Sequence, residues 1–305
     1  MKILYGIENN NIDVTEICFS KLVYENNIII PPKDGNRAQL FTDPLDGILK
    51  KIFISTDNYL SEYDEDNMIK INIINKTIEV FDDNTIEKNI DSIHSKLKFN
   101  HGSLKDEYPE QSMAIRYLTG HEKVLEIGGN IGRNSLLIGY ILGMKNNNNM
   151  VVLEPDEDIA KKLYENRDLN NFNFNIEVSA LSKRKLIKKK GDWRSVVSDK
   201  VLENHTNLNT ITLDDLNAKY NIEFDTLVLD CEGAFYYILM DMPEILNNIN
   251  LIIMENDFCT MEHKNYVDQI LKKNKFFVHY SESLIAPWGW QPGYDNFYEV
   301  WMKKN

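Results

Sequence analysis

Four acidic residues follow two successive apolar runs in the second half of the sequence. Asp230 and Glu232 come after the first run, and Glu255 and Asp257 come after the second. Because parallel strands end at the same edge of a sheet, we expect these side chains to lie together beside a bound ligand. A carboxylate placed there can accept the proton of a hydroxyl nucleophile. We therefore predict Asp230 and Glu232 as catalytic residues, with Asp230 as base or substrate anchor, and Glu255 and Asp257 as substrate-binding residues.

The same carboxylates allow two other interpretations. Asp230, Glu255 and Asp257 offer the oxygen ligands that hard divalent cations prefer, so these residues are also candidate metal ligands. Carboxylate clusters also form without a metal, and Asp230 alone can serve as a hydrogen-bond acceptor for nearby backbone groups. The sequence leaves these alternatives open.

A glycine-rich turn lies upstream of these acids. Residues 124–135 read VLEIGGNIGRNS, and a second apolar run, residues 150–153, ends in Glu154 and Pro155. The order strand, glycine turn, helix, strand and carboxylate builds a nucleotide-type pocket at the carboxyl ends of parallel strands. The alternative is a structural unit of strand, helix and strand that binds no ligand.

The turn favours one class of nucleotide-like cofactor. It departs from the dinucleotide pattern GxGxxG, because Asn130 takes the second glycine position and Arg133 the third. Glu126 beside the turn would repel a pyrophosphate but attract the amino and sulfonium groups of S-adenosylmethionine (SAM). Glu154 follows the last glycine by about 20 residues, where a carboxylate accepts both ribose hydroxyls. SAM therefore fits better than NADP, and somewhat better than NAD.

Two further stretches bear on substrate binding. Residues 181–200 are rich in lysine and arginine and read as a solvated hairpin, since nucleic-acid contact is improbable in so acidic a chain. The loop near the C-terminus contains Trp288 and Trp290, and exposed aromatic side chains bordered by polar groups suit stacking on sugar faces. The alternative for this loop is packing against the last strands.

The predicted strands and helices that would position these residues divide the chain into an accessory domain, a connector and an α/β domain. Strands and helices alternate from residue 105 to residue 305, which predicts an α/β domain with a mainly parallel sheet covered on both faces. Residues 1–85 hold short β-rich runs separated by turns and are predicted to be a small accessory domain. Residues 86–104 are predicted to be a connector. The accessory domain can hold a glycan, pair with another subunit in a homo-oligomer, or brace the second domain.

Composition limits the partners. The formal net charge of −13 disfavours nucleic acid and anionic membranes, because both reward a basic surface. The cysteines are odd in number and widely spaced, which indicates a reducing compartment and no structural zinc. The N-terminus lacks an apolar signal core, and no apolar run approaches the length of a membrane span. We expect a cytoplasmic protein.

In these motifs the sequence resembles the FkbM-type family of SAM-dependent methyltransferases, over roughly residues 105–275. The resemblance implies a class I, Rossmann-like methyltransferase fold, with a seven-stranded sheet whose last strand is reversed. It also implies O-methylation of hydroxyls on sugars or on other glycosylated or polyketide products. The matching pieces are VLEIGGNIG (124–132), LEP (153–155), Asn166 with Asn170, ALS (180–182), TLDDL (212–216), DCEGA (230–234) and Glu255.

The sequence also resembles a second group of methyltransferases, and at one position it departs from the FkbM-type pattern. The stretches PEQ (109–111) and DCEG (230–233) look like those of methyltransferases of large DNA viruses, some of which act on surface glycans. That likeness implies the host cytoplasm as location. The family usually has a lysine two residues before the aspartate of its Asp-x-Glu-Gly motif, and here that position is Val228. Any role of that lysine is absent or displaced.

The combined prediction is a SAM-dependent O-methyltransferase that acts on a sugar or glycan hydroxyl and releases S-adenosylhomocysteine (SAH). An NAD-dependent oxidoreductase and a non-catalytic glycan-binding protein with a relic pocket are the alternatives. A divalent cation is a further candidate cofactor. The predicted cofactor-binding residues are Glu126, Gly128, Gly129, Asn130, Gly132, Asn134, Glu154, Pro155, Ala180 and Leu181.

Overall fold

The computed structural model describes residues 1–56, 59–287 and 289–304. The first part of the chain consists of short strands and two helices, with Ile3, Tyr5 and Ile52 among its fully buried side chains. Its elements are β1 (Lys2–Ile7), β2 (Asn10–Asp13), α1 (Thr15–Lys21), β3 (Val23–Tyr24), β4 (Asn27–Ile30), α2 (Asp34–Phe41), β5 (Lys51–Ser55), β6 (Leu60–Tyr63), β7 (Met68–Asn72) and β8 (Ile78–Phe81).

Strands and helices alternate in the rest of the chain. The elements are α3 (Asp83–His94), α4 (Tyr108–Tyr117), β9 (Val124–Ile127), α5 (Arg133–Gly143), β10 (Met150–Leu153), α6 (Glu157–Leu169), β11 (Asn175–Glu177), β12 (Ala180–Leu181), β13 (Leu186–Lys189), β14 (Ser195–Val197), β15 (His205–Leu208), β16 (Thr210–Ile211), α7 (Leu213–Tyr220), β17 (Thr226–Leu229), α8 (Ala234–Asp241), β18 (Leu251–Glu255), α9 (Met261–Lys273), β19 (Phe276–Glu282) and β20 (Tyr298–Lys303).

A seven-stranded sheet forms the centre of this second part, in the order β11-β10-β9-β17-β18-β20-β19. Strands β9, β10, β11, β17 and β18 run parallel to one another. The last strand, β20, runs antiparallel to both β18 and β19. The prediction of a class I methyltransferase sheet with a reversed last strand is therefore confirmed.

Both faces of this sheet are covered, which explains its continuous apolar strands. Every residue of β9, β10 and β17 is buried. One face packs with Met113 of α4 and Leu136 of α5, and the other with Leu216 of α7 and Val267 of α9. Parallel strands that are buried on both faces are apolar along their whole length.

Side-chain caps start several of the helices. Asp156 accepts hydrogen bonds from the amides of Asp158 and Ile159 at the start of α6, and Thr212 accepts one from Asp215 at the start of α7. These interactions satisfy amides that have no partner within the helix. They fix where the chain turns from strand to helix at the edge of the sheet.

Two antiparallel sheets make up the first part, in the orders β2-β1-β5-β6 and β3-β4-β7-β8. Helix α3 follows them and lies largely within the range predicted as a connector. It is capped by Asp82 and buries Ile86, Ile90 and Ile93 in the same core as α4 and α5. The domain boundaries themselves stay a prediction. No helix within the described ranges is long and apolar enough to span a bilayer.

Candidate functional site

A cavity of about 700 Å³ opens at the carboxyl ends of the central strands. The cavity is walled by the ends of β9, β10 and β17, by the start of α8, and by the hairpin of β13 and β14. Of the predicted site residues, the cavity is lined by Gly128, Asn130, Glu154, Pro155, Ala180, Leu181, Asp230 and Glu232.

The glycine turn comes very close to the end of β17. Gly128 has a φ angle of +97°, and a Cβ atom there would lie 1.6 Å from the carbonyl oxygen of Asp230. A non-glycine residue therefore fits neither the backbone conformation nor the space. This close approach brings the turn and the Asp230 segment to the same wall of the cavity.

Glu154 is held in place by two backbone amides. Its Oε2 atom accepts a hydrogen bond from the amide of Asn130, at 2.9 Å, and its Oε1 atom accepts one from the amide of Asp156, also at 2.9 Å. Burial raises the pKa of this carboxyl group. Each carboxylate oxygen has a second lone pair, so Glu154 can accept two further hydrogen bonds from a ligand.

Glu126 lies in the buried strand β9 and does not line the cavity. Its Oε2 atom has no hydrogen-bond partner among the described residues. Burial raises its pKa to about 8, while the neighbouring Ser135 hydroxyl favours the charged form. Gly129, Gly132 and Asn134 also lie outside the cavity lining, and the buried Oδ1 atom of Asn134 finds no partner in the part of the chain that the structure describes. Cofactor contacts by these residues stay a prediction.

The acids at the ends of β17 and β18 do come together. One carboxylate oxygen from each of Asp230, Glu255 and Asp257 lies within 4.8 Å of the other two. Asp257 accepts a hydrogen bond from the Gly233 amide at 2.8 Å, and its other oxygen is buried without a partner in the described part of the chain. Burial raises the pKa of Asp257 to about 7, and the charge of Glu232 adds to this effect.

Asp230 experiences the strongest negative field in this group. Burial raises its pKa well above the usual value, and the charges of Asp257, Glu107, Glu110 and Glu232 raise it further. Such an environment favours either a protonated carboxyl group or a bound cation.

Helix α4 contributes to this field from the other side of the sheet edge. Its first turn contains Glu110, which is 7% exposed and whose Oε2 atom has no partner among the described residues. Burial raises the pKa of Glu110 to about 7, and the charge of Glu107 contributes. Glu107 itself forms a salt bridge with Arg133 at 3.0 Å.

The basic segment predicted as a solvated hairpin lines the cavity instead. It forms a three-stranded antiparallel sheet in the order β14-β13-β15. Lys188 is only 8% exposed and pairs with Asp156 at 2.9 Å, and Arg194 lies 3.5 Å from Glu232. The segment is a hairpin, as predicted, but the prediction that it is merely solvated was wrong, because Lys188 is buried against Asp156 and Arg194 pairs with Glu232 at the cavity wall.

The loop between β19 and β20 lies beside β18. Asn256 donates a hydrogen bond to the carbonyl of Asn296 at 2.6 Å, which ties the loop to the segment after β18. Trp290 is 66% exposed and donates to Asp295 at 2.9 Å. Trp290 does not line the cavity, and Trp288 lies outside the described residues.

Sequence reasoning missed several residues that line the cavity. They come from the hairpin and from α8, and the signal that could have found the hairpin residues is the presence of apolar side chains, such as Leu186, Ile187 and Trp193, within the basic segment. The main ones are Leu186, Lys188, Trp193, Arg194, Val196 and Tyr237.

Comparisons with known proteins find distant structural similarity without a sequence match. No model of a known protein family matches the chain, and no curated protein matches it. Solved structures do match, among them an O-methyltransferase from Bacillus cereus in complex with SAH, at 15% identity, with 73% of this chain and 92% of that chain covered and a TM-score of 0.39. Ribosomal protein L11 methylase from Lactobacillus delbrueckii subsp. bulgaricus matches at 11% identity, with 68% and 82% covered and a TM-score of 0.40.

The methyltransferase FkbM from Methylobacillus flagellatus KT matches at 13% identity, with 71% of this chain and 59% of that chain covered and a TM-score of 0.43. At identities and TM-scores this low, the likeness carries no information about substrate or mechanism.

Proposed function

We propose that the chain is a SAM-dependent O-methyltransferase that transfers a methyl group to a hydroxyl of a sugar or glycan. The observation that carries the proposal is the placement of Glu154. Its carboxylate is fixed by the amides of Asn130 and Asp156 at the end of β10 and borders the large cavity. A carboxylate at this position of such a sheet is suited to accept both hydroxyls of a ribose.

The residues around the cavity fit the rest of this cofactor. The close approach of Gly128 to Asp230 shapes one wall, and Pro155, Ala180 and Leu181 line the wall beside Glu154. These residues would hold the nucleoside part of SAM. The ordered motifs that resemble the FkbM-type family fall on the same positions, which adds support.

The charge of the site distinguishes SAM from a dinucleotide. Glu126, Asp230 and Glu110 are buried carboxyl groups near the glycine turn, and the pKa of each is raised by burial. A pyrophosphate would meet repulsion there once these groups ionise. A sulfonium and an ammonium group would stabilise the ionised carboxylates.

The chemistry needs an electrophilic methyl group, which bound SAM supplies, and a base for the acceptor. Asp230 lies at the wall between the glycine turn and the acids of β18. Its raised pKa makes it a stronger base than an exposed aspartate, so it can take the proton of an attacking hydroxyl. The hairpin of β13 and β14 would exclude water from the cavity.

The same negative field favours a neutral acceptor. A phosphorylated sugar or a nucleic acid would be repelled by Asp230, Glu232 and Asp257, whereas a neutral carbohydrate would not. The exposed ring of Trp193 lines the cavity, and the exposed ring of Trp290 belongs to the loop that is tied to the segment after β18. Such rings suit stacking on sugar faces. A carbohydrate hydroxyl is therefore the acceptor that this site favours.

Transfer from methyl-labelled SAM tests the proposal. The purified chain is incubated with a panel of neutral monosaccharides and methyl-free glycans, and with phosphorylated sugars and RNA as comparison acceptors. We expect label in a neutral carbohydrate, and no label when Asp230→Asn replaces the wild type. Glu262→Gln, which removes an exposed acid of α9, is the charge-matched control. Label found only in RNA, protein or phosphorylated sugars would reject the proposed acceptor class.

A further inference from the structure

We propose that Asp230, Glu255 and Asp257 form a binding site for a divalent cation at the carboxyl ends of β17 and β18. This inference deepens the proposed function, because the cation would lie where the acceptor hydroxyl must bind. Cation binding itself can be measured whether or not the chain transfers a methyl group.

The geometry of the three carboxylates suits one ion. One oxygen from each residue lies within 4.8 Å of the other two. Oxygen ligands lie roughly 2.3–2.6 Å from Ca²⁺, so two ligands of one such ion are at most about 4.6–5.2 Å apart. The corresponding limit for Mg²⁺ is about 4.0–4.2 Å. A calcium-sized ion can therefore contact all three residues, and Mg²⁺ can do so where the oxygens lie within its smaller limit.

No protein cation neutralises this group within the described residues. Among the described residues, Arg194 pairs with Glu232, and Asp230, Glu255 and Asp257 take part in no ion pair. Within the same part of the chain Asp257 keeps one buried oxygen without a partner, and its other oxygen accepts from the Gly233 amide. Buried carboxylates that lack a partner are costly, and they are commonly paired or bound to a metal.

A fourth carboxyl group reaches the same place from a separate element. Glu110 belongs to α4, which packs against β18 and β20. The Glu110 side chain is 93% buried, and its Oε2 atom has no partner in the described part of the chain. Tyr298 of β20, which is paired with Glu255 in the sheet, lies within reach of the charge of Glu110. An unpartnered buried acceptor beside the three carboxylates is the arrangement expected around a cation.

The ligand set identifies the kind of cation. It contains only oxygen atoms, with no cysteine or histidine, and such a set selects hard ions such as Ca²⁺, Mg²⁺ and Mn²⁺ over zinc or copper. A bound cation would coordinate an acceptor hydroxyl, lower its pKa and so ease its deprotonation.

Titration calorimetry tests the inference directly. CaCl₂, MnCl₂ and MgCl₂ are titrated into the metal-free chain, alone and with saturating SAH or SAM. We expect one ion per chain, and an affinity that falls by about tenfold or more in Asp257→Asn and in Glu255→Gln. The matched control Glu262→Gln should bind the ion as the wild type does.

The variants are chosen so that folding does not decide the result. Asparagine at position 257 keeps the oxygen that accepts from Gly233, and thermal unfolding of each variant verifies its fold. Should Asp257→Asn fail to fold, the result for Glu255→Gln decides.

Three outcomes would overturn the inference: no ion bound by a wild type that binds SAH, equal affinity in both site variants and the control, or displacement of the ion by SAM. Displacement of the ion by SAM would mean that the carboxylates bind the positively charged groups of the cofactor instead of a cation. A wild type that binds the ion but neither SAH nor SAM would instead reject the proposed function.

Discussion

Replacement of Glu154 by glutamine tests the role of its carboxylate in detail. In the wild type both oxygens accept backbone hydrogen bonds at 2.9 Å, from Asn130 and from Asp156. Glutamine has one acceptor oxygen, so its amino group must face one of these two amides. A buried donor without an acceptor costs about 1–3 kcal/mol. We expect the free energy of unfolding to fall by about that amount, measured by denaturant titration.

The same change should weaken cofactor binding by a calculable amount. Hydrogen bonds to a charged acceptor contribute about 1.5–3 kcal/mol, and those to a neutral acceptor about 0.5–1.5 kcal/mol. For two ribose hydroxyls the difference is about 2–3 kcal/mol, which corresponds to a roughly 30- to 150-fold weaker Kd for SAH. Calorimetric titration with SAH measures this loss.

The matched control is Glu157→Gln, which removes an exposed acid from the first turn of α6. It should leave the SAH affinity unchanged within about twofold, since exposed charges at this distance are screened. If Glu154→Gln binds SAH as tightly as this control does, Glu154 does not contact the ribose, and the assignment of the cavity is wrong.

Three other changes follow from the same geometry. Asp230→Asn should lower turnover by about 10²-fold or more, as expected for loss of a general base, while SAH affinity stays near that of the wild type; unchanged turnover would reject Asp230 as base. Gly128→Ala should abolish SAH binding and lower the free energy of unfolding by at least about 1–2 kcal/mol, because residue 128 has a positive φ and its Cβ would overlap with Asp230. The control Gly143→Ala should have neither effect, because a Cβ at position 143 meets no atom within 4 Å. In buffer with EDTA, the affinity for SAM relative to that for SAH should rise from pH 6 to pH 9. Asp257 and Glu126 have pKa values raised to about 7 and about 8, so they lose their protons as the pH rises between these two limits, and their negative charges then favour the sulfonium of SAM. A SAM-to-SAH affinity ratio that is flat or falls with pH would contradict this charge assignment.

The central sheet could be predicted because its signals are local. The strands β9, β10, β17 and β18 are largely apolar, and glycines mark the turn after β9. The acids that follow β17 and β18 come together because parallel strands end at one edge. No contact between distant segments had to be known for these inferences.

Other features depend on contacts that the sequence does not display. Lys188 sits in a run of lysines that reads as solvated, yet it is buried against Asp156, and Lys189 beside it is exposed. Helix α3 looks like a polar connector because its three buried isoleucines are separated by polar residues. Only the surface that they pack against distinguishes this helix from a linker.

The packing of residues 1–85 against the rest of the chain could not be predicted from the sequence either. His279 of β19 is fully enclosed, where it hydrogen-bonds to the carbonyl of Ile29 at 2.7 Å and to the hydroxyl of Tyr117 at 2.8 Å. Burial lowers the pKa of this histidine to about 4, so it is neutral at physiological pH. These contacts show close packing between the two parts, while glycan binding and subunit pairing by the first part stay predictions.

Calorimetric titration of the wild-type chain with SAH, and separately with NAD⁺, tests the central claim most directly. We expect one SAH molecule per chain, bound with an enthalpy change that disappears in Gly128→Ala, and no binding of NAD⁺. Binding of NAD⁺ in place of SAH would make the chain an oxidoreductase candidate. Binding of neither compound, by a folded wild-type chain, would contradict the assignment of the cavity at β9, β10 and β17 as a cofactor site.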